Sequence, residues 1–135
     1  MPLLKRLALW VLGVAMVGIG IDHLVNPAPF ERIVPALLPA PFVLVVVSGV
    51  FEVLGGLGVL VPLTRRFSAW GLLALFLAVF PANLNMALHH IQLSPEGHLP
   101  VWAMWARLPL QAVPLAWAYW FTRPEPAARA RVPAR

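Results

Sequence analysis

The chain has 135 residues, 61% of them hydrophobic and 11% charged, with a net charge of +5. Soluble domains carry about twice that charged fraction, so a single integral membrane domain is expected rather than a soluble core. The chain has no cysteine, which excludes disulfides, thiolate metal sites and CxxC redox chemistry within it. Its basic residues sit at the ends of apolar runs, so the charge reads as membrane topology, and nucleic acid is not an expected partner.

The first apolar run, residues 7–25, follows Lys5 and Arg6. It contains Asp22-His23 and lacks a small-x-small cleavage pattern, so it is expected to be a retained helix and not a signal peptide. Residues 26–41 (NPAPFERIVPALLPAP) are proline-rich and mixed in polarity, as suits a short segment along the membrane interface. Residues 42–61 form the second run, the tight PLTRR hairpin spans 62–66, and the third run covers 67–88. A polar loop, 91–98, leads to the fourth run, 99–121. The tail, 123–135, is basic and proline-containing and is expected to be disordered. Each run is close to the ~20 residues that a helix needs to cross ~30 Å of hydrocarbon, and four strands could not close a barrel. The expected fold is all-α: an integral membrane four-helix bundle over 1–122, with a short interfacial segment between helices 1 and 2. With alternating helices, Lys5, Arg6, Arg65, Arg66, Arg123, Arg129, Arg131 and Arg135 share one side and Arg32 lies opposite. The positive-inside rule then makes both termini cytoplasmic.

The polar residues within the runs gather in the outer half. At ~1.5 Å per residue, Glu52 lies ~15 Å and Arg107 ~12 Å below the outer edge, Asn83 ~8 Å, and Asp22 and Asn85 ~5 Å. His23, His89 and His90 fall at the rim, and Gln111 one turn deeper than Arg107. Ser48, Glu52 and Gly56 share a stripe at i, i+4, i+8. Gly71, Ala74, Ala78, Ala82, Asn85 and His89 form another, and Ala103, Arg107, Gln111, Pro114 and Ala118 a third; Gly18 and Asp22 are one turn apart. Small residues let helices approach closely in lipid, so these faces are expected to turn inward around a polar pocket that opens outward. Pro81, Pro109 and Pro114 each remove a backbone donor and free a carbonyl one turn earlier.

Glu52 and Arg107 have opposite charge at similar depth. A lone charge at mid-membrane costs at least ~3 kcal/mol, so pairing or protonation is expected. Two readings stay open: a structural ion pair, or a catalytic pocket in which Arg107 binds an anionic or carbonyl group and Glu52 accepts a proton. Asp22, Ser48, Asn83, Asn85, His89 and Gln111 are the candidate ligand-binding residues, with interhelical hydrogen bonding as the alternative for the asparagines. His23 reads first as interfacial. His23 and His89 could be axial ligands of a b-type haem, but ordinary rim polarity accounts for them. Adjacent histidines point about 100° apart on a helix, so His89-His90 with Glu96 and His98 does not make a metal site.

The chain resembles the DoxX family of small four-helix bacterial membrane proteins over roughly residues 12–121. The resemblance rests on GIGIDHLVNPAPFERIVPALLPAP, SGVFEVLGGLGVLVPLTRRFSAWGL and FPANLNMALHH. Ser48, Gly49, Glu52, Gly55 and Gly56 match its second-helix motif; Pro81, Ala82 and Asn83 match the third helix of a DoxX-like subgroup. Ser68 stands where alanine is usual. The resemblance implies a multi-pass protein of the bacterial inner membrane, and a quinone-linked oxidoreductase subunit is the activity it suggests. The leading expectation is thus an outer-half pocket for a quinone or similar hydrophobic ligand, in a redox complex or a homo-oligomer. A non-enzymatic assembly factor or scaffold is the alternative, and a small proton-coupled carrier the third.

Overall fold

The apolar runs become helices in the computed structural model, which describes residues 1–124; the expected disorder of the tail from residue 125 onward lies outside the described residues. The elements are α1 (Leu3–Val25), α2 (Ala28–Glu31), α3 (Pro41–Leu60), α4 (Arg65–Ala78), α5 (Phe80–His89), α6 (Val101–Leu110) and α7 (Ala112–Thr122), with no strand among the described residues. Three stretches are long and apolar enough to cross a membrane: Leu3–Val25, Pro41–Leu60, and Arg65–His89 across α4 and α5. The fourth expected span is broken, and α6 and α7, with 10 and 11 residues, each fall short of the ~20 needed.

Proline accounts for both breaks. Pro81 has no N–H for the carbonyl one turn earlier, and the third run divides at Val79, between α4 and α5. Pro109 and Pro114 flank the second break, at Gln111. The segment between α1 and α3 begins with the one-turn helix α2 and continues in turns.

α1 and α3 pack antiparallel along paired glycines spaced seven apart. A Cβ on Gly20 would lie 2.6 Å from the Gly49 carbonyl oxygen, and one on Gly56 would lie 2.6 Å from the Gly13 oxygen. Only glycine permits this backbone approach, and it recurs two turns along. α3 continues through a tight turn into α4, where the Thr64 hydroxyl donates to the Gly58 carbonyl (2.8 Å) and Arg65 Nε to that of Val59 (3.0 Å). Arg66 Nε donates to the Thr122 carbonyl (2.9 Å), tying α4 to the end of α7. Leu9, Leu12, Met16, Val59, Ala69, Leu72, Phe76, Ala118 and Phe121 fill the core at this end. At the far end a smaller cluster joins Ile33, Met86, Ala87 and Met104.

The expected inward face of the first run, and the first half of that of the third, are turned outward, while Ala82 and Asn85 farther along the third are half-buried. Gly18 and Asp22 are exposed on α1, and Gly71 and Ala74 on α4; a Cβ on Gly18 or Gly71 would meet nothing within 4 Å. α1 instead buries Leu9, Leu12, Gly13, Met16 and Gly20, and α4 buries Ala69, Leu72 and Phe76. Larger side chains win the inward position on α4 because they fill the space between α3 and α7. The expected faces of the second and fourth runs do turn inward, with Glu52, Gly56 and Ala118 buried and Ser48, Arg107 and Gln111 half-buried.

Candidate functional site

A cavity of about 600 Å³ borders both core clusters, meeting Met16 and Phe76 of one and Ile33 of the other. Its wall is apolar except for six side chains: His23, Ser48, Glu52, Asn83, Arg107 and Gln111. Phe30, Ile33, Val34, Pro35 and Leu38, from the segment between α1 and α3, form part of that wall. α5 packs on α6, whereas α4 packs on α3. α3 and the Arg65–His89 stretch therefore meet at the hairpin and part beyond it, and the cavity occupies the gap.

The glycine contacts place the buried carboxylate. Each side chain sits over the other helix's glycine, and the Glu52 Cβ lies 2.9 Å from where a Gly20 Cβ would be. The His23 Cβ lies 2.8 Å from where a Gly49 Cβ would be. His23 Nδ1 is 2.7 Å from Glu52 Oε2 and 2.9 Å from the Ile19 carbonyl oxygen. One ring hydrogen cannot point well at both. Aligned on Ile19, it leaves Oε2 in close contact with the ring but without a directed hydrogen bond. The imidazole also lies against Phe30, with ring centroids 3.9 Å apart. Glu52 is 6% exposed.

This corrects the expected Glu52–Arg107 pairing. Arg107 lines the same cavity, but no described carboxylate is within ion-pair distance of it. The reason is topological: α6 packs on α5 and α7, while α3 packs on α1 and α4. Similar depth along two helices does not make them neighbours.

Gln111 sits at the break between α6 and α7 and reaches across to the other break. It accepts a hydrogen bond from Asn83 Nδ2 (3.2 Å) through its Oε1 and donates from Nε2 to the Phe76 carbonyl (3.1 Å). One amide thereby joins α4, α5 and the α6–α7 junction at the cavity wall.

Of the remaining candidates, Ser48 lines the cavity one turn from Glu52, and Asp22, Asn85 and His89 do not line it. Asn85 Nδ2 donates to the Ile33 carbonyl (3.0 Å), fastening α5 to the segment before α3. His89 is exposed, with Nδ1 3.1 Å from the Asn85 carbonyl oxygen. His23 and His89 are thus not brought to one site, and no group of three or more metal-ligating side chains occurs among the described residues.

A family model described as "Domain of unknown function (DUF8561)" matches residues 12–122. The chain belongs to the DUF8561 family. The matched region contains every cavity-lining residue. No curated protein and no solved structure matches the chain.

The sequence reading underrated His23, which meets Glu52, and gave no site role to Phe30, which lies against the His23 ring. A signal for His23 was present. Gly13 and Gly20 on the first run, and Gly49 and Gly56 on the second, are each seven apart, and antiparallel alignment of the two pairs puts positions 23 and 52 each within one turn of the Gly20–Gly49 crossing.

Proposed function

We propose that this DUF8561 chain is a DoxX-like multi-pass protein of the bacterial inner membrane whose cavity binds a hydrophobic molecule with a polar head. In this reading the broken α6–α7 stretch completes a four-helix transmembrane bundle, both termini are cytoplasmic, and the segment between α1 and α3 lies at the outer interface. The outward apolar surface supports membrane embedding: Val11, Val14, Leu54, Leu57, Leu77 and Val113 are all exposed, far more grease than a soluble monomer leaves open.

The observation that carries the ligand reading is the cavity's make-up. Glu52, Arg107, Ser48, Asn83 and Gln111 converge on one space with an otherwise apolar wall. A volume of about 600 Å³ falls within the ~300–1,000 Å³ usual for small-molecule sites. Membership of a quinone-linked redox complex rests on the DoxX resemblance. In that reading Arg107 and Gln111 face the head group and the His23–Glu52 pair exchanges a proton with it.

Native mass spectrometry of gently purified protein, followed by titration with decylubiquinone, tests this. Saturable binding that weakens in Arg107→Gln and Glu52→Gln is expected. Absence of both a retained hydrophobic ligand and saturable binding would sink the reading. The open space beside Gly18 and Gly71 favours a second one, a scaffold whose outer faces dock other helices. It would show as a co-purifying protein partner and no ligand.

A further inference from the structure

Arg107 presents a charge that no described residue balances. Its guanidinium is always protonated. The carboxylate placed to answer it, Glu52, is instead in contact with His23. Asn83 and Gln111, its polar neighbours on the cavity wall, are bonded to each other and to the Phe76 carbonyl. Charged groups inside a membrane pair with one another or with what occupies the cavity they face. A neutral head can accept hydrogen bonds from Arg107 but leaves the charge uncompensated, whereas an oxyanion compensates it and matches the planar guanidinium fork in two parallel hydrogen bonds.

The apolar wall says what is attached to that head. Val47 and Phe51 line the cavity, and Val43, Val50 and Leu54, which adjoin them on α3, are exposed apolar residues that do not line it. Ala78 and Pro81 line it from the opposite side of the gap, beside the exposed Leu77. The cavity surface therefore runs without a polar barrier onto the outer apolar face of the helices, as an acyl chain entering sideways from lipid requires.

We propose that the cavity takes an amphiphile with one oxyanion head, a carboxylate or a phosphate monoester. Arg107 holds the head, and the chain leaves between α3 and α5. This rests on the reading of the cavity as a site for a hydrophobic ligand and specifies the charge of that ligand. The full chain in maltoside micelles at pH 8 is titrated with tritiated dodecanoate and, separately, tritiated dodecan-1-ol, which share one tail. Dodecyl phosphate is the competitor. Dodecanoate is expected to bind at least about tenfold more tightly than the alcohol, the scale of a charge-assisted hydrogen bond. Arg107→Gln is expected to bring the two within about twofold, and Arg107→Lys to keep most of the preference. The relative strength of dodecyl phosphate identifies the head as carboxylate or phosphate. Equal binding of acid and alcohol by the unaltered protein overturns the proposal while leaving the cavity reading intact, and needs no variant that folds. Retention of the full preference in a folded Arg107→Gln protein overturns it too. Saturable binding of neither probe overturns the proposal, and the decylubiquinone titration then decides the cavity reading separately.

Discussion

At the scale of single residues, the contact between His23 and Glu52 organises the buried polarity. Glu52 is buried in the middle of an apolar helix, where an unpaired carboxylate is costly. Its close titratable neighbour among the described residues is the His23 imidazole, 2.7 Å away. The two are locked by the glycine approach beneath them, so the pair behaves as a coupled unit. A double-mutant cycle on His23→Ala and Glu52→Gln is expected to give a coupling of roughly 1–3 kcal/mol, and the corresponding cycle on Glu52 and Arg107 less than about 0.5 kcal/mol. Reversible unfolding in mixed micelles measures both. A Glu52–Arg107 coupling as large as the other would restore the direct ion pair that depth alone suggested.

At the scale of helices, glycine means opposite things in different places. Gly20, Gly49 and Gly56 face backbone or fixed side-chain atoms, so alanine there pushes α1 off α3. Overpacking of this kind costs about 1–3 kcal/mol. Gly18 and Gly71 face open space, and alanine there is expected to stabilise by up to about 1 kcal/mol through helix propensity. Thermal unfolding of the five alanine variants separates the groups, and equal destabilisation at Gly18 and Gly20 would contradict the packing. Gln111 makes a second contrast. Gln111→Ala loses two hydrogen bonds and strips the Phe76 carbonyl of its side-chain donor, whereas Asn83→Ala loses one. At about 0.6 kcal/mol per interhelical bond, the Gln111 variant should unfold first in a thermal ramp. These cases also mark how far the sequence could be read. The long apolar runs were legible, because hydrocarbon thickness sets their length, whereas Pro81, Pro109 and Pro114 showed missing donors without showing that the third and fourth runs divide beside them. The inward faces of α2-flanking and hairpin helices were only partly legible. A small residue permits close packing but does not demand it, so Gly18 and Gly71 look like Gly20 and Gly56 until the neighbours are known. Asn83, Ser48, Gln111, Glu52 and Arg107 were found through their cost in lipid; which of them touch was hidden, because it depends on helix order around the fold.

At the scale of the whole molecule, the two ends differ in charge. Lys5 lies over the rings of Trp120 and Phe121, both 5.8 Å to the centroid. Arg66 reaches the Thr122 carbonyl, and Arg65 caps the end of α3. The start of α1, the α3–α4 hairpin and the end of α7 therefore meet at one basic end. The other end, with the 91–100 loop and the segment after α1, has Glu31, Arg32 and Glu96. Lysine and arginine near the ends of spans are retained on the cytoplasmic side, so the cavity, bordered by Phe30, Ile33 and Leu93, opens toward the outer half of the membrane in the proposed orientation. The absence of native cysteine makes this directly measurable with single-cysteine variants and a membrane-impermeant maleimide. Ser94→Cys, on an exposed loop, should label in intact spheroplasts. Leu63→Cys, at a hairpin residue 93% exposed, should label only after the membrane is permeabilised. The reverse pattern would turn the molecule over and place the cavity in the cytoplasmic half. Labelling of both sites in intact spheroplasts would mean that the Arg65–His89 stretch does not span the membrane, because that stretch alone separates the two positions.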